Sequence, residues 1–220
     1  MGVEGKPGSL DREVAHLFRL VTHGLARATD ALLTADPAQA AKVVEADGSV
    51  DELTAQLNQK IWESFERLMP VSDEMRRMVG LLSILSELER SADLAEHIAQ
   101  RALAELGPKM SPVTRGIIQR MSDVGLEMWR DAADSYLHRR PVALRMDEAD
   151  EELDILLDRL TTEVAASAMP LSVAAQVTLL GRFYERLGDH AVNLAKRIEM
   201  LPADTPESSA HPSGTERPAV

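Results

Sequence analysis

Leu81, Leu85, Leu88, Ala92, Ala95, Ala99, Ala102 and Leu106 follow one another at alternating spacings of four and three. That rhythm places all eight on one stripe of an α-helix, in the pattern with which helices pack on helices. The stripe returns as Leu180, Tyr184, Leu187, Ala191, Leu194, Ile198 and Leu201. Shorter stripes run through Val50, Leu53, Leu57, Ile61, Phe65 and Leu68, and through Ala149, Leu153, Leu156, Leu160 and Val164. Their small Ala residues allow close approach of neighbouring helices.

Helix starts and stops divide the chain into six helices. The first runs from about Ser9 to Ala35. Asp36 caps the second, with Pro37 at its first position, where a missing N–H costs nothing; it ends near Met69. Ser72 caps the third, with Asp73 and Glu74 at its positive end, and Gly107-Pro108 stops it. Ser111-Pro112 opens the fourth, which ends at Arg139-Arg140. The fifth, after Pro141, reaches Met169, and Ser172 caps the sixth, which ends near Leu201-Pro202. The expectation is an all-α chain of two tandem three-helix bundles, residues 9–107 and 111–202. Residues 1–8 and 203–220 are rich in Gly, Pro, Ser and Thr and read as disordered tails.

The halves are copies. Glu89-Arg90-Ser91-Ala92-Asp93 returns 96 residues later as Glu185-Arg186-Leu187-Gly188-Asp189, and Met69-Pro70-Val71-Ser72 returns as Met169-Pro170-Leu171-Ser172. Such a repeat governs the reading of the whole fold. The repeated feature is a pair of carboxylates one helical turn apart.

Composition narrows the chemistry. The chain has no cysteine, which excludes disulfides, thiolate metal sites and cysteine nucleophiles and fits a cytoplasmic protein. Lys and Arg total 24 against 36 Asp and Glu, a net charge of -12, with no basic run, so nucleic acid is not an expected partner. No apolar run approaches the length of a membrane span, so the chain is not expected to be embedded in a membrane. No nucleophile–base signature or phosphate-cradling glycine loop is present.

Glu89 and Asp93 share one helix face beside the stripe, with Glu96 and His97 a turn further on. Glu185, Asp189 and Asn193 lie on the corresponding line. The second helix carries Asp47 and Asp51, and the fifth carries Asp147, Asp150, Glu151 and Asp154. If the second and third helices are antiparallel across a short turn, these carboxylates face one another. Such a group repels itself unless it holds a cation or some members are protonated. Oxygen-only donors suit hard cations. The competing reading is an ordinary surface laced with ion pairs, given Arg90, Arg101, Arg186 and Arg197 nearby. His97 and His190 read as partly buried or surface histidines, and Trp62, Trp129, Phe183 and Tyr184 as packing residues.

The repeated Glu-Arg-x-x-Asp helix, the Met-Pro turn before it, the segment 181–193 (Gly181-Arg182-Phe183-Tyr184-Glu185-Arg186-Leu187-Gly188-Asp189-His190-Ala191-Val192-Asn193) and the segment 44–51 together resemble the PhoU family of phosphate-signalling regulators, its actinobacterial branch especially. The resemblance implies two three-helix bundles related by pseudo-twofold symmetry. It implies metal ligands at Glu89, Asp93, Glu185 and Asp189, with Asp51 and Asp150 contributed by the neighbouring helices. Iron, magnesium, manganese or zinc would be the ion. It further implies a non-enzymatic negative regulator of phosphate-starvation signalling and phosphate uptake. Its partners would be the ATPase subunit of the phosphate ABC transporter and a sensor histidine kinase, with a homodimer left open. Ser91-Ala92 departs from the family's Ile-Gly, so the first site could differ in metal content. Two other readings compete: a metal-free helical scaffold, and a di-iron carboxylate oxidase. The oxidase needs Glu-x-x-His on two helices; Glu13-Val14-Ala15-His16 has no counterpart in the second half.

Overall fold

The computed structural model describes residues 8–65 and 72–202. Six helices carry them: α1 (Ser9–Thr34), α2 (Pro37–Phe65), α3 (Asp73–Leu103), α4 (Pro112–His138), α5 (Ala143–Ala166) and α6 (Leu171–Glu199), with a 3-10 turn at Gly107–Lys109. Among the described residues there is no strand. The first turn's landmark Met69-Pro70-Val71, the expected end of the second helix and the two tails lie outside the described residues.

Helices α1, α2 and α3 pack on one another, and so do α4, α5 and α6. The two bundles meet through α1 against α4 and α3 against α6, which leaves α2 and α5 on the outer flanks. This is the arrangement of two three-helix bundles that the duplicated stripes require. All eight apolar positions of the first stripe are buried. The second stripe is buried except Leu201, which is half-buried.

Local chemistry sets most of the boundaries. Asp36 accepts the Gln39 N–H at 3.0 Å, Ser72 the Met75 N–H at 3.1 Å and Ser111 the Thr114 N–H at 3.0 Å. These bonds satisfy donors that no carbonyl can reach at a helix start. Ser172 does not cap α6. The Pro170 carbonyl accepts from Val173 and Ala174, both at 2.9 Å, so the helix begins at Leu171 and places Ser172 inside its first turn. Three helices stop earlier than breaker residues suggest. The third ends at Leu103, where Glu105 turns to a φ of 54°. The fifth ends at Ala166, where Ser167 becomes extended, and the sixth at Glu199. Gly107 at the junction is irreplaceable for a spatial reason: a Cβ there would lie 1.9 Å from the Leu32 carbonyl oxygen.

The seam between the bundles is partly polar, and most of its buried groups are bonded, as burial demands, although Glu87 Oε2 and Arg101 Nε are enclosed without a hydrogen-bond partner. Tyr184 O–H and Thr29 Oγ1 lie 2.7 Å apart, and Ser122 donates to Thr29 at 3.0 Å. Trp129 Nε1 donates to the Leu187 carbonyl at 3.0 Å. At one end, the Asp11 carboxylate takes both the Arg77 guanidinium and the Tyr136 hydroxyl, joining α1 to α3 and to α4. The repeat is visible even where its chemistry has diverged. Arg197 pairs with buried Glu87 at 3.1 Å, whereas its counterpart Arg101 lies over the Phe183 ring at 5.3 Å. Both contacts cross from α3 to α6. Trp129 is fully buried as expected, but Trp62 is 62% exposed. On the outer helix α2, no helix among the described residues covers it.

Candidate metal centres

Each bundle gathers carboxylates between its outer helix and the inner helix that carries the repeated motif. In the first, Asp47 and Asp51 sit one turn apart on α2, and Asp93 stands opposite on α3. One carboxylate oxygen from each falls within 4.8 Å of the others. Burial, then the charge of Asp51 and next that of Glu96, raise the Asp47 carboxyl to about 6. Asp93 is raised too, first by burial and then by Asp51, while His97 pulls the other way. Asp47 Oδ1 is enclosed with no hydrogen-bond partner.

The second bundle repeats this environment. Asp150 on α5 is raised to about 6, first by burial and then by Asp189, Asp154 and Glu185. Glu185 is raised mainly by burial, against the lowering effect of Arg182. Its Oε1 accepts from Arg182 at 2.9 Å, while its Oε2 is enclosed without a partner. Gly188 makes this geometry. A Cβ on it would lie 2.4 Å from Leu153 Cδ1 and 2.9 Å from Asp150 Oδ1. Helix α5 therefore lies against bare α6 backbone, and the carboxylate is pressed into the groove. Gly188→Ala is expected to cost about 1–3 kcal/mol through overpacking, read as a lower denaturant midpoint than the parent.

The structure sorts the sequence candidates. Asp51 and Asp93 come together with Asp47, whereas Asp150, Glu185 and Asp189 lie within electrostatic reach of one another without converging as closely. Glu89 is exposed and stands apart from the group of Asp47, Asp51 and Asp93. Asp47 and Asp154 complete the clusters. They were recognisable as helix-face carboxylates but had no place in the resemblance-based ligand set. The equivalence across halves is Asp47 with Asp150 and Asp51 with Asp154, each pair 103 residues apart, so Asp51 and Asp150 are not counterparts. The four-residue spacing within each pair was the available signal. His97 is half-buried and stacked on Phe183 at 5.5 Å, while His190 is buried with Nδ1 2.8 Å from Ser91 Oγ. Burial lowers the His190 pKa.

The donors fit a hard cation. All are carboxylate oxygens, two oxygens are enclosed and unpartnered, and the raised carboxyls record burial first and the charge of neighbouring carboxylates second, both of which a cation would offset. A pH dependence follows for the cation-free chain. Asp47 and Asp150 have folded values near 6 against 3.8 for the free side chain. Between those values the folded chain binds protons that the unfolded chain does not. Stability should therefore rise as pH falls from about 7 to about 4, and be lost again as pH rises through about 6. Denaturation midpoints in chelator at pH 7.5 and 5 measure this, and added cation should flatten the difference.

A duplicated, six-helix protein with a carboxylate cluster in each bundle defines a narrow class. The PhoU domain profile matches residues 14–102 and 118–198, and the chain belongs to the PhoU family. A phosphate-specific transport system accessory protein PhoU homolog of Rhizobium meliloti (strain 1021) is 28% identical over 95% of this chain and 88% of its own length. PhoU homolog 2 of Mycobacterium tuberculosis is 30% identical over 86% of this chain and 91% of its own. The crystal structure of PhoU from Pseudomonas aeruginosa shares the fold at a TM-score of 0.81 and 22% identity, over 87% of this chain and 94% of that one. That of the phosphate transport system regulatory protein PhoU from Streptococcus pneumoniae does so at 0.78 and 19%, over 87% and 92%.

Proposed function

We propose that this chain is a negative regulator of phosphate-starvation signalling and phosphate uptake, a metal-binding, non-enzymatic adaptor in the cytoplasm between the phosphate ABC transporter's ATPase subunit and a sensor histidine kinase. The family match in both halves carries the reading, with relatives named as accessory proteins of phosphate-specific transport. No helix among the described residues is long and apolar enough to cross a membrane, which suits a partner that docks on a transporter from outside the bilayer. With a net charge of -12, the chain favours a basic patch on its partner, and the association should weaken as salt screens it.

Asp47, Asp51 and Asp93 would hold one centre, and Asp150, Asp154, Glu185 and Asp189 the other. Oxygen donors favour magnesium, manganese or oxidised iron over softer ions. The oxidase reading has less support, since its one Glu-x-x-His has no counterpart in the second half and Glu13 is paired with Lys60 at 2.5 Å. The metal-free scaffold is the alternative that elemental analysis of protein purified without a metal-affinity tag would favour, should no cation be found.

Deletion of this chain should derepress phosphate-starvation genes in phosphate-rich medium, and the purified chain should capture the ATPase subunit or the kinase's cytoplasmic part. Normal repression in a deletion strain with no paralogue would overturn the regulatory reading.

A further inference from the structure

Spacings of four and three put His16, Arg19, His23, Arg27 and Asp30 on one stripe of α1, turned away from its buried face. The stripe is exposed, with only Arg27 half-buried. The family match begins at residue 14 in one half and at 118 in the other, which makes Arg120, Asp123, Glu127, Asp131 and Asp134 the equivalent stripe of α4. It is exposed likewise, with only Asp131 half-buried. The two copies thus carry opposite charge on equivalent faces. The α1 stripe is basic except at its last residue, and the α4 stripe is acidic except at its first.

The two helices run antiparallel, and three contacts set their relative height. Thr29 meets Ser122 at 3.0 Å, the Phe18 and Trp129 rings lie 6.4 Å apart, and Asp11 meets Tyr136 at 2.7 Å. To within about one turn, His16 is then level with Asp134, Arg19 with Asp131, His23 with Glu127, Arg27 with Asp123 and Asp30 with Arg120. All five levels join a base to an acid, and the one acid on α1 meets the one base on α4. Arg12, level with His138, and Arg130, beside the α4 stripe, stand outside this pattern. Within one chain the stripes do not meet. Both point out of the same face, side by side, and among the described residues no ion pair joins them. Arg145 of α5 is instead shared by Asp131 at 2.6 Å and Glu127 at 3.9 Å, and Arg120 pairs with Glu152 at 2.7 Å.

We propose that the α1/α4 face binds a second copy of the chain, in a dimer whose twofold axis runs parallel to the helices between α1 and α4. That axis leaves every residue at its own height and lays α1 on the partner's α4, so all five pairs form twice. A twofold across the helices would lay α1 on α1 and bring like charges together. The face is large enough. Helices of 26 and 27 residues, about 40 Å long and together about 20 Å wide, offer roughly 800 Å² per partner, the area of a standard interface. The carboxylate clusters lie between other helix pairs, α2 with α3 and α5 with α6. The inference therefore goes beyond the regulatory reading and does not depend on metal binding.

Analytical ultracentrifugation of three full-length chains tests it: the parent, Arg19→Glu with Arg27→Glu, and Asp123→Arg with Asp131→Arg. The parent should sediment as a dimer at tens of micromolar protein. Each double variant alone sets like charges together at two levels of both seams and should associate about ten-fold more weakly or worse. Mixed in equal amounts, the two should recover parental association as a heterodimer. An acidic α1 then meets a basic α4 at one seam, and the unaltered pair meets at the other. That rescue also shows both variants to be folded. The chain has no cysteine, so a second measurement is open whatever the fate of the charge variants: His23→Cys mixed with Glu127→Cys should oxidise to a disulfide-linked pair faster than either alone. A monomeric parent, a dimer that both charge variants keep, folded variants that stay apart when mixed, or equal oxidation rates would each overturn the proposal.

Discussion

Replacing Glu185 and Asp189 together by alanine is expected to remove the cation from the second cluster while leaving the chain folded. Glu185 Oε2 is an enclosed acceptor with nothing to bind in the cation-free structure, and Asp189 is the leading charge acting on Asp150 after burial. Without them, only α5 carboxylates remain around Asp150, namely Asp154 and Asp147, a one-sided set for a hard cation that takes six or more ligands. Elemental analysis should show fewer ions per chain, and circular dichroism an unchanged helical content. In the first bundle, Asp51→Ala with Asp93→Ala should act in the same way, whereas Glu89→Ala should leave metal content alone, because Glu89 stands apart from the cluster. Unchanged stoichiometry in the Glu185/Asp189 variant would remove the site assignment. A gain in thermal stability in both double variants, with no heat of metal binding in the parent, would make the clusters repulsive surface and nothing more.

Trp129→Ala should be among the most damaging single changes to stability. Trp129 is fully buried on α4, 6.4 Å from the Phe18 ring of α1, and its indole N–H donates to the Leu187 carbonyl of α6. It therefore belongs to the seam between bundles as much as to its own bundle. Truncation removes the largest side chain of the core and leaves a cavity that three helices would have to close. The expected loss is about 3–5 kcal/mol, measured by denaturant unfolding. Trp129→Phe should recover part of it. A change below about 1 kcal/mol in the alanine variant would mean that the seam does not depend on this anchor. Exposed Trp62 makes the contrast within one chain, since Trp62→Ala should be nearly silent.

The recurrence of one apolar rhythm and one carboxylate pair 96 residues apart was enough to determine six helices, the division into two copies and the class of residue in the candidate sites. Helical periodicity is a local property, set by backbone geometry and by which side chains avoid water, so Leu81 through Leu106 declare their face without knowing what they face. Caps are likewise local, and Asp36, Ser72 and Ser111 were legible for that reason. Which of the candidate carboxylates meet was not. Whether Glu89 or Asp47 joins Asp93 depends on the rotation of α2 against α3 about their common axis, and a shift of one residue turns a helix position by about 100°. Such rotations are fixed by packing, in the second bundle through a residue as small as Gly188, whose missing methyl lets α5 press Asp150 into the groove. The same packing left Trp62 outside and Trp129 inside. Tertiary contact alone decides these matters, because each depends on which two helix faces meet.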